Sequence, residues 1–198
     1  MLAELLAQPG VREETVLRSR FGFMAFHGGS LEEMTDVIAA AAAKRSGASY
    51  YAVLLPDDLQ LHIPSHKLSP TDSPSMAAFI DHVDVVVTVH GYGRENLFTS
   101  LLLGGRNRTL AAHVAPFLQR HLPAYDIRSD LETIPTDLRG QHLDNPVNLT
   151  RRQGVQIELP PRVRGSSPLW WDWEGPGLTP HTEALVTALA EAATAWQL

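Results

Sequence analysis

The chain has 198 residues and a formal net charge of −6, a length that fits one domain hiding roughly 70% of its unfolded surface, so its core needs no disulfide or metal. Hydrophobic residues at 44% and charged residues at 19% exclude a disordered chain and a coiled coil, and no apolar run approaches the ~20 residues of a membrane span. The acidic balance argues against a nucleic-acid partner, and the absence of cysteine removes thiolate nucleophiles and every cysteine-based zinc motif.

Any metal site must therefore use His, Asp and Glu, and the chain has 9 His. Its start, MLAELLAQPGVREE, lacks a basic segment followed by an apolar one, so no signal peptide is read and a cytoplasmic protein is expected. The basic residues are 14 Arg against 2 Lys, and Arg is the better residue for forked contacts to carboxylates.

In chain order, Phe21–Phe26 reads as a strand bounded by Gly28-Gly29. Ser30 and Glu33 have the spacing of a capping box, and Leu31, Met34, Ile38, Ala41 and Ala42 recur at helical spacing toward a stop at Gly47. Strands are expected at Tyr50–Leu55 and Leu59–Ile63, then a short helix from Ser73-Pro74 to about His82. Val83–Val89 is a fully buried strand ending in His90-Gly91, and Leu97–Leu103 is another. Thr109–Leu122 is helical, with Pro116 expected to kink or divide it. The pattern fades over 129–153. Gly154–Leu159 is a strand, and a helix runs from Thr179-Pro180 to Leu198. Strands alternating with helices predict a single α/β domain over 1–198, with a core at about 21–160. Its sheet should be mostly parallel and twisted, flanked by helices.

His27 and His90 each end an apolar strand, and Glu158 sits near the end of a third. In open α/β sheets ligands bind outside the carboxyl ends of strands, so parallel neighbours would bring the three into one cleft. Glu32 lies five residues after His27, beyond a sharp Gly-Gly turn. His27, Glu32 and His90 together make a two-His, one-Glu metal set with a fourth position open to water. Zinc held there lowers the pKa of that water and polarises a substrate carbonyl, with Glu158 as general base and later acid. The bland alternative stays open at this point. A lone strand-end His serves equally as a hydrogen-bonded surface residue, and a Glu near a helix start favours the helix dipole. His27-Gly28-Gly29 also matches an esterase oxyanion loop, but no G-x-S-x-G elbow accompanies it.

The segments HGGSLE, SYYAVLLP, LHIPS, VVTVHG, LLLGG and NPVNLTRRQGVQIEL, in that order, resemble the poly-γ-glutamate hydrolases of phages and bacteria. The resemblance covers roughly residues 21 to 160, and its most specific pieces are His27 to Glu32 and Gly154 to Leu159. It implies a compact zinc-carboxypeptidase-like fold and one zinc ion on His27, Glu32 and His90. It also implies a catalytic Glu158 and a γ-glutamyl amide substrate. One departure stands out. Where the family reads N-x-x-N-R, this chain has Asn148-Leu149-Thr150-Arg151-Arg152, with Arg in place of the second Asn.

For an anionic substrate, Arg151 and Arg152 are the expected carboxylate grips, with Asn148 and Tyr92 beside them and Arg94, Arg106 and Arg108 as second choices. A solvated loop with ordinary surface pairs accounts for the same arginines. His62 and His66 fit structural roles or the cleft wall, and Trp170, Trp171 and Trp173 fit packing or a pocket wall. Two further readings remain. One is a metal-dependent deacylase of a small acylated amine or ester. The other is a non-catalytic anion-binding protein on the same fold.

Overall fold

The computed structural model describes residues 1–197. In chain order its elements are α1 (Leu2–Leu6), β1 (Arg12–Val16), β2 (Phe21–Gly29), α2 (Thr35–Ser46), β3 (Ser49–Leu55), α3 (Pro74–His82) and β4 (Val85–Gly91). They continue with β5 (Ser100–Leu103), α4 (Arg108–His121), β6 (Asp126–Arg128), β7 (Gly154–Leu159), α5 (Pro161–Arg164) and α6 (Pro180–Ala195). The strands form one sheet in the order β1-β3-β2-β4-β7-β5-β6.

The central strands β3, β2, β4 and β7 are mutually parallel. β1 runs antiparallel at one edge, and β5 with β6 runs antiparallel to β7 at the other. The result is the mostly parallel α/β sheet that the sequence predicts. From β2 the chain winds outward to β3 on one side and then returns to β4 on the other. The crevice between the ends of β2 and β4 is therefore a topological switch point, where such sheets bind ligands.

Strand alternation sends alternate side chains into two cores. Val85, Val87 and Val89 of β4 join Val155, Ile157 and Leu159 of β7 under α2, α4 and α6. The opposite face carries Met24, Phe26 and Val86 into a second core with Leu2, Leu5, Met76 and Phe79 of α1 and α3. Ala39, Ala42 and Ala43 of α2 are fully buried, and their small side chains let this helix lie close on the sheet. Among the described residues, no helix is long and apolar enough to cross a membrane.

Several caps fall where the sequence puts them. Ser73 Oγ accepts from Met76 N–H, Thr179 Oγ1 from Thr182 N–H, and Gly47 ends α2 in the left-handed conformation. Other expectations are corrected. The Ser30/Glu33 capping box does not form, because β2 continues through Gly29 and Ser30 N–H still bonds Leu55 O. Ser30 Oγ then donates to Pro56 O at 2.7 Å, and α2 begins only at Thr35. Leu59–Ile63 is not a strand, since β1 already occupies the free edge of β3. Pro116 lies inside a continuous α4. The strand expected over Leu97–Leu103 begins at Ser100, and the last helix ends at Ala195. Leu198 lies outside the described residues. α1, β1, β6 and α5 had no counterpart in the sequence pattern.

Candidate metal centre

His90 and Glu158 are direct register partners at the carboxyl ends of β4 and β7. Both face the same side of the sheet as Gln156, because Val155, Ile157 and Leu159 turn the other way into the core. His27 needs a further device. Met24 is paired with Thr88, so strict alternation puts Phe26 beside His90 and sends His27 to the opposite face. The Phe26 and His90 rings do lie 5.9 Å apart. The β2–β3 register slips between Ala25 and Gly28, and this bulge re-aims His27 toward the crevice. Gly29 completes the turn at φ +70, where an added Cβ would lie 2.2 Å from Leu55 O.

Glu32 is presented by the turn that follows, whose N–H donates back to His27 O at 2.8 Å. One carboxylate oxygen lies 2.9 Å from His27 Nδ1. The other lies 3.4 Å from His90 Nδ1 and accepts from Gly91 N–H at 2.8 Å. His27 Nε2 donates to Ile63 O at 2.9 Å. Both His27 nitrogens thus face acceptors. Burial pushes the His27 pKa down, but Glu32 and the Ile63 carbonyl more than offset it and the net shift is upward. Glu32 is held far below the ordinary carboxylate range, because the two imidazoles outweigh the effect of burial.

These donors fit a zinc ion. His27 Nδ1 and His90 Nδ1 face the two oxygens of the one Glu32 carboxylate, so the three side chains present their donors to one place. Imidazole–carboxylate–imidazole is a zinc donor set, and His27 held through its second nitrogen by a carbonyl is the usual way a ligating His is oriented. His62 is a donor that the sequence reading did not include in the set. Donor atoms of His27, Glu32 and His62 all lie within 4.8 Å of one another, and the His27 and His62 rings are 4.5 Å apart. Leu59–Ile63, expected to be a strand and here irregular, delivers both His62 and the Ile63 carbonyl. Partial burial and neighbouring His27 hold the His62 pKa down.

Glu158 is buried, and Gln156 Nε2 donates to its Oε1 at 2.7 Å. Gln156 is oriented in turn by Asn145 Nδ2, which donates to Gln156 Oε1 at 2.9 Å. Burial first, and then the negative charge of Glu32, raise the Glu158 pKa well above the ordinary carboxylate range. A carboxyl whose charge is disfavoured in this way is suited to accepting a proton during a reaction.

His27, Glu32, His90 and Glu158 line one cavity of about 570 Å³ with His62, His66 and His142. Five of the nine histidines thus meet in one place, which separates this site from scattered surface histidines. A larger cavity, about 730 Å³, lies at the carboxyl end of β3, and its carboxylates, Glu33, Asp36 and Asp57, have no histidine beside them.

The expected substrate grips do not gather here. Arg151 and Arg152 precede β7, and the six-residue strand separates them from Glu158 by roughly 20 Å at ~3.3 Å per residue. Arg151 lies 4.0 Å from Asp84, before β4, and Arg152 lies over the Trp196 ring. Tyr92 is buried, with its hydroxyl directed at the Leu97 and Ser100 carbonyls. Asn148 is a structural anchor. Its Nδ2 donates to Gly140 O and His142 O, and its Oδ1 accepts from Arg106 N–H. Arg108 is spent on four backbone carbonyls, those of Leu103, Gly104, Gly105 and Ser129. Trp170 Nε1 donates to Arg162 O and its ring packs on Trp173 and His181, away from the cavity.

Arg164 has a part that charge counting missed. It is buried, donates to Leu159 O and Glu33 O, and packs so tightly on Gly91 that a Cβ there would lie 2.8 Å from its guanidinium. It braces the turn that presents Glu32. The only sequence signal for it was the local run of arginines.

A family profile described as Poly-gamma-glutamate hydrolase matches residues 3–167. Among solved structures, a bacteriophage poly-gamma-glutamate hydrolase is 19% identical, with a TM-score of 0.75 over 96% of this chain and 91% of that one. A zinc-free apo structure of YndL is 20% identical, with a TM-score of 0.76 over 96% and 92%. At these identities the structures attest the fold. No curated protein matches the chain.

Proposed function

The chain belongs to the poly-γ-glutamate hydrolase family, and we propose that it is a zinc-dependent hydrolase of γ-glutamyl amide bonds, acting on poly-γ-glutamate or a smaller γ-glutamyl amide. The observation that carries this reading is the meeting of His27, Glu32 and His90 with a buried Glu158 in one cavity at the switch point. His27, Glu32 and His90 would hold the ion. Zinc, when bound, supplies Lewis acidity toward the scissile carbonyl and a water made acidic enough to attack at neutral pH.

The chain's own residues account for the rest. Glu158 takes the proton from the attacking water on its carboxylate and later passes it to the leaving amine. The Gln156 amide, fixed by Asn145, keeps the Glu158 carboxyl in one orientation while the proton moves. Glu32 is kept ionised by His27 and His90, and the Gly91 N–H and the Arg164 brace hold it in place.

The test is hydrolysis of poly-γ-glutamate and of α-linked polyglutamate by the purified protein, before and after chelator treatment and zinc return. Cleavage of the γ-linked polymer that disappears with the chelator and returns with zinc is the expected result. Chelator-resistant cleavage, or none of any γ-glutamyl amide by zinc-loaded protein, would overturn the reading.

A further inference from the structure

We propose that the paired imidazoles of His66 and His142 form a carboxylate-binding subsite at the cavity mouth, reading the free α-carboxylate of a γ-glutamyl unit. The inference rests on the hydrolase reading above and adds the source of its anion specificity.

A γ-linked chain carries a free carboxylate a few bonds from each amide, so the cavity must accommodate negative charge close to the chemistry. Its walls contain no Lys and no Arg, yet they hold the carboxyls of Glu32, Asp137 and Glu158. Asp137 is paired with Arg94. Imidazoles make up much of this wall, and their ring N–H groups are donors that an anion can use. His27 and His90 face Glu32, and His62 packs on His27. His66 and His142 remain, with the Asp144 carboxylate 3.8 Å from His142 Nδ1.

They come from separate loops. His66 lies in the single 3-10 turn Ser65–Lys67, and His142 lies in the segment that Asn148 anchors through the Gly140 and His142 carbonyls. Their rings are 4.6 Å apart and tilted by 30°. Asp144 N–H donates to His142 Nδ1 at 3.1 Å, which places the hydrogen of the neutral ring on Nε2 as a donor. Among the described residues, neither that nitrogen nor either nitrogen of His66 has a hydrogen-bond partner. Two imidazoles side by side on one cavity wall can each give an N–H to a carboxylate oxygen, whereas a metal needs donors converging on a point. Neither His66 nor His142 belongs to a group of three close metal donors among the described residues.

The test compares kcat/KM for a γ-glutamyl oligomer with free α-carboxylates against its α-methyl ester. Both are assayed with zinc-loaded parent and with the His66→Gln/His142→Gln variant, and zinc content is measured alongside. Parent enzyme should prefer the free acid. In the variant that preference should fall about tenfold, through KM, with zinc content unchanged. An unchanged preference in zinc-loaded variant, or a parent indifferent to esterification, overturns the subsite. Should the double variant lose zinc, the His142→Gln variant at an exposed position carries the same readout.

Failure of the zinc-loaded parent to cleave either substrate overturns the hydrolase reading instead. Calorimetric binding of the two oligomers to parent and variant then decides the subsite independently of turnover. Loss of discrimination in the variant upholds it, and retained discrimination refutes it.

Discussion

Replacing Glu158 with glutamine keeps the shape of the side chain and removes its capacity to carry a proton. Glu158 is 4% exposed, and one of its oxygens accepts from Gln156 Nε2 at 2.7 Å, a bond that a glutamine carbonyl can keep. The substitution also removes a carboxyl whose charge is disfavoured by burial and by Glu32, so the folded state should lose no more than about 1 kcal/mol. Turnover should respond very differently. Loss of a positioned general base costs roughly 10²–10⁴-fold, or about 3–5 kcal/mol in barrier height. The assay is kcat on a γ-glutamyl oligomer with zinc-loaded protein, together with a denaturant titration and a metal determination. The account expects a hundredfold or greater fall in kcat, with bound zinc and folding preserved. Turnover equal to parent in a zinc-loaded variant would show that the proton travels by another group. Loss of zinc would show that Glu158 belongs to the metal site.

Asn148→Ala removes three hydrogen bonds within a buried loop anchor and should cost about 3 kcal/mol in urea unfolding, and a loss below ~1 kcal/mol would contradict the anchoring role. Arg151→Ala/Arg152→Ala should leave KM for the γ-glutamyl oligomer within about twofold of parent, as both sit at the far end of β7, and a tenfold rise would place them at the substrate after all. Zinc affinity should fall with pH. Glu32 and the Ile63 carbonyl raise the His27 pKa in the metal-free protein, so as the pH falls zinc must displace a proton from its ligating nitrogen. Chelator competition between pH 5.5 and 8 reads the effect, and an affinity independent of pH would remove His27 from the ligand set.

How far the sequence could be read depends on the kind of contact involved. DVVVTVH and GVQIEL announce buried strands with a polar residue at the carboxyl end, and parallel pairing aligns those ends. His90 and Glu158 were therefore legible as neighbours. The position of His27 at a strand end was equally plain, but its aim depends on a bulge with no composition signal. Glu32 was placed near His27 for a partly mistaken reason. It sits in a turn, because Ser30 bonds across to Pro56 and does not cap a helix. His62 arrives on an irregular segment whose position is fixed by the Ile63 carbonyl on His27, a tertiary contact that periodicity does not encode. The arginines misled because charge counting ignores chain direction. Residues just before β7 in sequence are a full strand length from residues at its end. Arg164, beyond the strand, turned inward as a brace and not outward as a clamp.

The central claim is that His27, Glu32 and His90 make a zinc site. It is tested most directly by measuring metal in protein purified without chelators, beside a His27→Ala/His90→Ala variant shown to be folded. The account predicts close to one zinc per parent chain and none retained by the variant. A parent that carries no zinc and takes up none when it is supplied, or a variant that binds as much as the parent, would contradict it.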